Sequence, residues 1–263
     1  MPTRPAARIA VLAVLAAGCV ACSASESREP TTSEGSRPSA SLPVTVEPQV
    51  LQDVISAAFE MPGGQMRRAM RVLQFTRNLG IEECGGEPGP VDGTYNREDQ
   101  SRFADLDLVR EKGFFEQEAV EDEDKRLEGL DADCAGLEPD LPHYAGWRQA
   151  SDSWYEVVLS AEQSAEVQDQ KPALARCLSK RARSTISVAD PVNDYLLLVN
   201  DENLSGATEA RLADLGVFYA ECAEGYFSTL RKELQKSLPQ FIDRNRETLD
   251  DFAAELVAAG YVP

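Results

Sequence analysis

A stretch near the carboxyl end carries the strongest secondary-structure pattern in the chain. Its apolar residues recur every three or four positions: Leu212, Leu215, Tyr219, Cys222, Tyr226, Leu230 and Leu234. This spacing places them on one face of an α-helix. Ser205 or Thr208 can cap the start of the helix, and Pro239 is expected to kink or end it.

The same spacing runs through most of the remaining chain. Further helices are predicted over 50–58, 66–80, 103–112 and 142–161, from 172, from 190, and over 241–260. The expected stops include Gly80 and Gly113, and Asp190 followed by Pro191 is expected to start a helix. No run of alternating apolar and polar residues is long enough to predict a strand. The predicted fold is therefore all-α, an irregular helical bundle.

The amino-terminal residues have the composition of a secretory signal. Arg4 and Arg8 supply positive charge, residues 9–17 are apolar, and small residues precede Cys19. The apolar part is too short for a membrane-spanning helix, which requires about 20 residues. Residues 1–18 are therefore predicted to be a signal peptide that directs the chain out of the cytoplasm.

The residues Ala16-Ala17-Gly18-Cys19 resemble the lipoprotein box of bacterial lipoproteins. In that family the cysteine receives a diacylglycerol and becomes the first residue of the mature chain. The resemblance implies a lipid anchor, including palmitate, on Cys19, and a protein held at the extracytoplasmic face of the cell membrane. Several acyl chains on one residue give stable anchoring. Cys22 is the alternative lipidated residue.

Three segments follow from composition. Residues 19–43 contain the lipidated cysteine and a Ser- and Pro-rich stretch that buries too little apolar surface to order itself, so we expect a flexible tether. Residues 44–263 are predicted to form the helical domain. Acidic residues crowd positions 118–140, where an internal break of the domain is expected.

The chain is strongly acidic, with 45 Asp and Glu against 26 Lys and Arg and a formal net charge of −19. Nucleic acid is therefore not expected as a partner, because its binding depends on clustered basic residues. The same balance disfavours a basic face lying on anionic lipid.

Four cysteines lie in the predicted domain: Cys84, Cys134, Cys177 and Cys222. An even number in an exported chain indicates two disulfides, and four cysteines permit three pairings. Cys84–Cys134 and Cys177–Cys222 are favoured, because neighbouring helical hairpins bring sequence neighbours together. The spacings suit neither a thioredoxin-like motif nor a zinc site, so no metal and no cofactor is predicted.

The sequence contains no motif that nominates catalytic residues. His143, the single histidine, is expected in a surface or capping role at a helix start. Acidic residues are so numerous that no pair can be nominated for glycoside hydrolysis. The best calcium candidate, the loop over 131–136, lacks two ligands of an EF-hand. Trp147 and Trp154 are seven residues apart on one predicted helix face, where core packing is expected.

Between 174 and 226 the chain resembles a group of uncharacterised actinobacterial lipoproteins. The residues that carry the resemblance are Ala-Arg-Cys-Leu around Cys177, Asp190-Pro191-Val192, and Arg-Leu-Ala-Asp-Leu over 211–215 before Cys222. The resemblance implies an exported helical scaffold with a Cys177–Cys222 bridge, and it implies no activity.

Together these patterns predict a membrane-anchored, non-enzymatic binding or scaffold protein of the cell envelope. Its partners are expected to be the membrane, through the lipid anchor, and an envelope protein or wall component that the sequence does not identify. One alternative is an extracytoplasmic hydrolase that uses carboxylates, which requires two acids in a cleft. Another is a small-molecule or ion binder lined by the acidic segment.

Overall fold

The computed structural model describes residues 46–62, 66–93, 105–114 and 138–263. The regular secondary structure of these residues is helical throughout, which confirms the predicted all-α fold. The helices are α1 (Pro48–Ala58), α2 (Met66–Glu83), α3 (Leu106–Lys112), α4 (Tyr144–Glu162), α5 (Ala165–Gln168), α6 (Lys171–Ala182), α7 (Pro191–Leu204), α8 (Glu209–Arg244) and α9 (Arg246–Ala258). The predicted signal peptide, Cys19, the tether, Cys134 and the candidate calcium loop lie outside the described residues.

The long helix α8 is the central element of the domain. It packs against α3, α4, α5, α6 and α7. Its buried side chains include six of the seven residues of the predicted apolar stripe: Leu212, Leu215, Tyr219, Tyr226, Leu230 and Leu234. The hydroxyl of Thr208 accepts a 3.3 Å hydrogen bond from the Arg211 N–H and caps the helix start.

Helix α1 organises the rest of the core, where it packs against α2, α4 and α9. Trp147 of α4 stacks on Phe252 of α9 with ring centroids 4.9 Å apart. Trp154, about two turns further along α4, donates its indole N–H to the Glu60 carbonyl at 3.0 Å. Both tryptophans are buried, so the expectation of core packing is confirmed.

Two predicted helix boundaries agree with the structure. The Asp190 carboxylate accepts a 3.3 Å hydrogen bond from the Asn193 N–H at the start of α7, and Pro191 occupies the first turn. Gly113 ends α3 in a left-handed conformation with φ 73°. Both features follow from local chemistry, which is why the sequence pattern predicts them.

The predicted end of α2 at Gly80 is wrong. The helix continues to Glu83 and stops before Gly85, which adopts φ 77°. Gly80 and Ile81 are both buried, so the apolar face of α2 extends past the glycine. Burial of this face outweighs the modest cost of one glycine in a helix, about 1 kcal/mol.

Pro239 does not end α8, which continues to Arg244. Beyond the proline, Phe241 contacts Phe59 and Trp154 with centroids 6.0 Å and 5.3 Å apart. This aromatic contact holds the last turn of α8 in place. Phe241 therefore belongs to α8, and the last helix, α9, begins at Arg246 rather than near Phe241.

The start of α4 is also later than predicted. Tyr144 is its first residue and His143 occupies the N-cap position, so Pro142 precedes the helix instead of lying in its first turn. The His143 side chain makes no capping hydrogen bond within α4.

The end of α3 lies unusually close to α8. A Cβ atom added to Gly216 would sit 2.6 Å from the Gly113 Cα, and one added to Gly113 would sit 2.8 Å from the Ala213 Cα. Real Cβ atoms do not approach backbone atoms so closely, so glycine is required at both positions. This pair of glycines sets the distance between the two helices.

Residues Leu42–Pro263 form one compact unit. The main hydrophobic core is drawn from residues between Val50 and Tyr261. Within the part of the chain that is described, no helix has both the length and the hydropathy needed to cross a bilayer.

Candidate interaction surface

The disulfide Cys177–Cys222 fixes α6 to the middle of α8. The two Cα atoms are 5.7 Å apart, and 45 positions separate the cysteines in sequence. This pairing was predicted and is confirmed. Cys84 is also disulfide-bonded, and its predicted partner Cys134 lies outside the described residues.

Two further contacts tie α6 to α8. Leu174, Ala175, Leu178 and Ala182 form the buried face of α6. Arg181 extends sideways to Glu221, with a 2.7 Å nitrogen-to-oxygen distance, and its guanidinium lies 5.4 Å from the centre of the Phe218 ring. Helix α6 is thus attached through its inner face and one flank, and its outer face is exposed.

The outer face of α6 is positively charged. Arg176 and Lys180 are exposed and four residues apart, and the exposed Arg183 follows the last turn. No acidic residue occurs between Asp169 and Asp190, a segment that holds five Lys and Arg. None of these three cations has an ion-pair partner among the residues that the structure describes. We call Arg176, Lys180 and Arg183 the basic stripe.

Arg183 ends α6 in the left-handed conformation, with φ 59°. It is the only described residue other than glycine with positive φ. Glycine is the usual residue at this position because it has no Cβ to strain the backbone. The chain therefore keeps a cation at a position where its backbone conformation is unfavourable.

The loop after Arg183 folds back along α6. The Ile186 N–H donates to the Ser179 hydroxyl at 3.0 Å, and the Lys171 ammonium donates to the Ala189 carbonyl at 3.1 Å. Between these two contacts lies Val188, whose side chain is 50% exposed. An apolar side chain is thus held at the surface beside α6.

Helix α7 presents two further exposed apolar side chains. Leu197 is 53% exposed and Leu204 is 77% exposed. They are seven residues apart and so share one helix face. The opposite face is buried through Val192, Tyr195, Leu196 and Val199.

Tyr195 fastens α7 to α8. Its hydroxyl donates a 2.7 Å hydrogen bond to the Leu215 carbonyl, and its ring stacks on Tyr219 with centroids 5.7 Å apart. Burial raises the pKa of Tyr195, so its hydroxyl stays protonated and remains a donor into the alkaline range where an exposed tyrosine would ionise. The Tyr219 hydroxyl is buried, and it has no hydrogen-bond partner among the described residues.

A buried carboxylate lies elsewhere, on α1. Asp53 is 0% exposed. Its oxygens accept hydrogen bonds from Tyr261 at 2.9 Å, from Gln49 at 3.1 Å and from Arg71 at 3.4 Å. These contacts occupy both carboxylate oxygens, so Asp53 joins α1, α2 and the carboxyl-terminal residues as a structural group.

His143 connects α4 to α9. Its ring Nδ1 lies 2.7 Å from one carboxylate oxygen of Glu255, and its backbone N–H donates to the other at 3.0 Å. Asp251 lies 3.6 Å from Nε2. The predicted surface position is correct, and the side chain bridges two helices instead of capping its own.

Two observations on the described residues concern catalysis and metal binding. A shallow pocket of about 60 Å³ lies beside Ser151 and Tyr155, whereas small-molecule sites usually enclose roughly 300–1,000 Å³. In the described ranges, no three His, Cys, Asp or Glu side chains are arranged so that they could hold a metal ion. The basic stripe was not predicted, although the acid-free segment between Asp169 and Asp190 was visible in the sequence.

Comparisons of the chain with protein-family models, with curated proteins and with solved structures find no significant match.

Proposed function

We propose that this protein is an exported lipoprotein, anchored by lipid on Cys19, that binds a protein or wall component of the cell envelope through the exposed face of α7. The amino-terminal signal pattern and the cysteine that follows it support the proposed export and lipid anchor. The proposed role is binding or scaffolding, without catalysis.

The observation that carries the proposed binding role is the pair of exposed leucines on α7. Leu197 and Leu204 lie on one face of a helix whose other face is locked against α8. Burial of a leucine side chain is worth about 1.5–3 kcal/mol when it is fully covered. A fixed helix loses little conformational entropy on binding, so these side chains suit a partner with a complementary apolar groove.

The proposed lipid anchor is tested in intact bacterial cells that express and export the full chain. A Cys19→Ser variant should lose incorporation of labelled palmitate and leave the membrane fraction. A Cys22→Ser variant is the matched control and should behave like the parent. Palmitate labelling that persists in Cys19→Ser and disappears in Cys22→Ser would reassign the anchor to Cys22.

The binding role is tested by site-specific photo-crosslinking of the full-length protein in cells. A crosslinking amino acid at position 197 or 204 should give the same discrete adduct, identified by mass spectrometry. Position 262 is the control, because Val262 is 78% exposed but lies outside α7. Adducts that are equally abundant from position 262, or absent from both α7 positions, would contradict a binding role for this face.

A further inference from the structure

We infer that the basic stripe of α6 docks on the anionic phospholipid headgroups of the membrane that anchors the protein. The inference rests on the proposed lipid anchor. It adds a second membrane contact, made by Arg176, Lys180 and Arg183, to the one made by lipid.

The charge close to α6 differs from the charge of the whole protein. The protein as a whole has a formal net charge of −19, which disfavours approach to an anionic surface. At physiological ionic strength, however, charges more than about 8 Å apart are largely screened. A surface in contact with α6 therefore meets mainly the segment between Asp169 and Asp190, which contains five cations and no acid. Arg181 is neutralised by Glu221 of α8, whereas the three cations of the basic stripe have no ion-pair partner among the described residues.

The arrangement of the three cations of the basic stripe suits a flat anionic surface. Arg176 and Lys180 lie along the outside of a helix, and Arg183 extends the line, so the three cations span about 10 Å at 1.5 Å per residue. They form an exposed row along one helix, whereas a site for one small anion surrounds its ligand with converging donors. A row of separated cations fits a flat layer of many anionic headgroups.

An exposed apolar side chain lies beside the basic stripe. The hydrogen bonds of Ile186 and Ala189 hold Val188 on one flank of α6, where it is 50% exposed. Membrane-surface segments combine Lys and Arg with apolar side chains that enter the headgroup boundary. A soluble polyanion would give Val188 nothing to bury against.

The backbone of Arg183 is unfavourable at the end of the basic stripe. Arg183 has a left-handed conformation, which glycine would adopt with less strain. Such outliers cluster at functional positions. A cation at this position lengthens the stripe by one turn beyond Lys180.

Because the predicted tether keeps the domain near the bilayer, a weak contact between the basic stripe and the headgroups is sufficient for docking. A flexible chain of about 25 residues spans roughly 25–30 Å, so the anchored domain stays at high effective concentration beside the bilayer. Docking then fixes the orientation of the domain, and α6 faces the membrane.

The test uses the fragment 42–263, which contains the whole compact unit and lacks the lipid anchor. Sedimentation with vesicles of phosphatidylcholine containing one third phosphatidylglycerol should show binding that weakens as salt increases. Vesicles of phosphatidylcholine alone should bind little. Absence of binding to the anionic vesicles at low salt would overturn the inference.

A triple variant, Arg176→Ala, Lys180→Ala and Arg183→Ala, should bind anionic vesicles roughly a hundredfold more weakly, since each surface cation contributes about fivefold. The matched control removes three exposed cations elsewhere, through Arg67→Ala, Arg148→Ala and Lys232→Ala. The control changes the net charge equally and should retain nearly all binding. An equal loss in both variants would show a general charge effect and overturn the inference.

Two further measurements distinguish docking on a membrane from a purely structural role of Arg183 and from binding of a soluble polyanion. Arg183→Gly should raise thermal stability while it weakens vesicle binding roughly fivefold, an opposite pair of changes that a purely structural residue would not produce. Long-chain polyphosphate is added as a competitor to the vesicle-bound fragment. If it releases the fragment at a concentration of negative charge below that of the vesicles, the ligand is a soluble polyanion and the membrane assignment is overturned. The vesicle assay contains no Cys19, so its result is independent of the palmitate-labelling test of the anchor.

Discussion

The hydroxyl of Tyr261 donates a 2.9 Å hydrogen bond to the carboxylate of Asp53, across 208 positions of sequence. Asp53 is fully buried on α1, and Tyr261 lies beyond the end of the last helix. The ring of Tyr261 also contacts Phe75 of α2, with centroids 5.2 Å apart. The first helix and the carboxyl-terminal residues of the domain are therefore joined by a buried hydrogen bond to Asp53, whose carboxylate also binds Gln49 and Arg71.

Replacement of Tyr261 with Phe should lower the free energy of unfolding by about 1.5–3 kcal/mol, the usual range for a hydrogen bond to a charged group. The Phe75 contact is retained, so the change isolates the hydroxyl. Urea denaturation of fragment 42–263 measures the effect. Val262→Ala, one residue away at an exposed position, is the control and should leave stability unchanged; equal stability of Tyr261→Phe and the parent would contradict this assignment.

Removal of the Cys177–Cys222 disulfide should lower stability by about 4 kcal/mol, as estimated for a loop of 45 residues. The double variant Cys177→Ser, Cys222→Ser avoids a free thiol and is compared with the parent by urea denaturation without reductant. Mass analysis of the unreduced parent should find neither cysteine available for alkylation. A double variant as stable as the parent would show that the bridge does not constrain the unfolded chain.

The contact of α3 with α8 predicts opposite effects for two glycines of the same helix. Gly216→Ala should destabilise the domain by about 1–3 kcal/mol, because the new methyl group collides with the backbone of Gly113. Gly225→Ala should stabilise it by about 0.5–1 kcal/mol, since the nearest atom to its new Cβ would be a side-chain oxygen 3.5 Å away. Thermal denaturation measures both variants, and similar effects would contradict the close approach.

Alkaline pH should unfold the domain through its buried tyrosines. Burial raises the pKa of Tyr195, Tyr219 and Tyr261, and the hydrogen bond to Asp53 adds to the effect at Tyr261. The folded state therefore keeps protons that the unfolded state releases. Stability is fully present below the ordinary tyrosine pKa of about 10 and is lost as the pH rises above it. Urea midpoints between about pH 8 and pH 11.5 should fall, in step with phenolate absorbance.

Tyr219→Phe is the matched variant for this pH dependence. The Tyr219 hydroxyl is buried without a hydrogen-bond partner among the described residues, so its removal should leave neutral stability unchanged or slightly higher. The decline above pH 10 should become shallower, because one fewer buried group can ionise. A large loss of stability at neutral pH would show that this hydroxyl has a partner.

The sequence by itself determined the described helices other than the short α5, and several of their boundaries. Asp190 with Pro191, Thr208 and Gly113 act through contacts within a few residues, so local pattern was sufficient to place them. The Cys177–Cys222 pairing was favoured among three possible pairings, because adjacent helices bring cysteines close in sequence together, and the structure decided it.

Only the tertiary structure decided where a helix continues through a local stop signal and which surfaces are exposed. The apolar faces of α2 and α8 continue through Gly80 and Pro239 because packing by distant residues, such as Phe59 against Phe241, outweighs local preference. Likewise, Asp53 is one of 45 acids in the sequence, and nothing local distinguishes it from the others. Its partner lies 208 positions away, and such a contact exists only once the chain has folded.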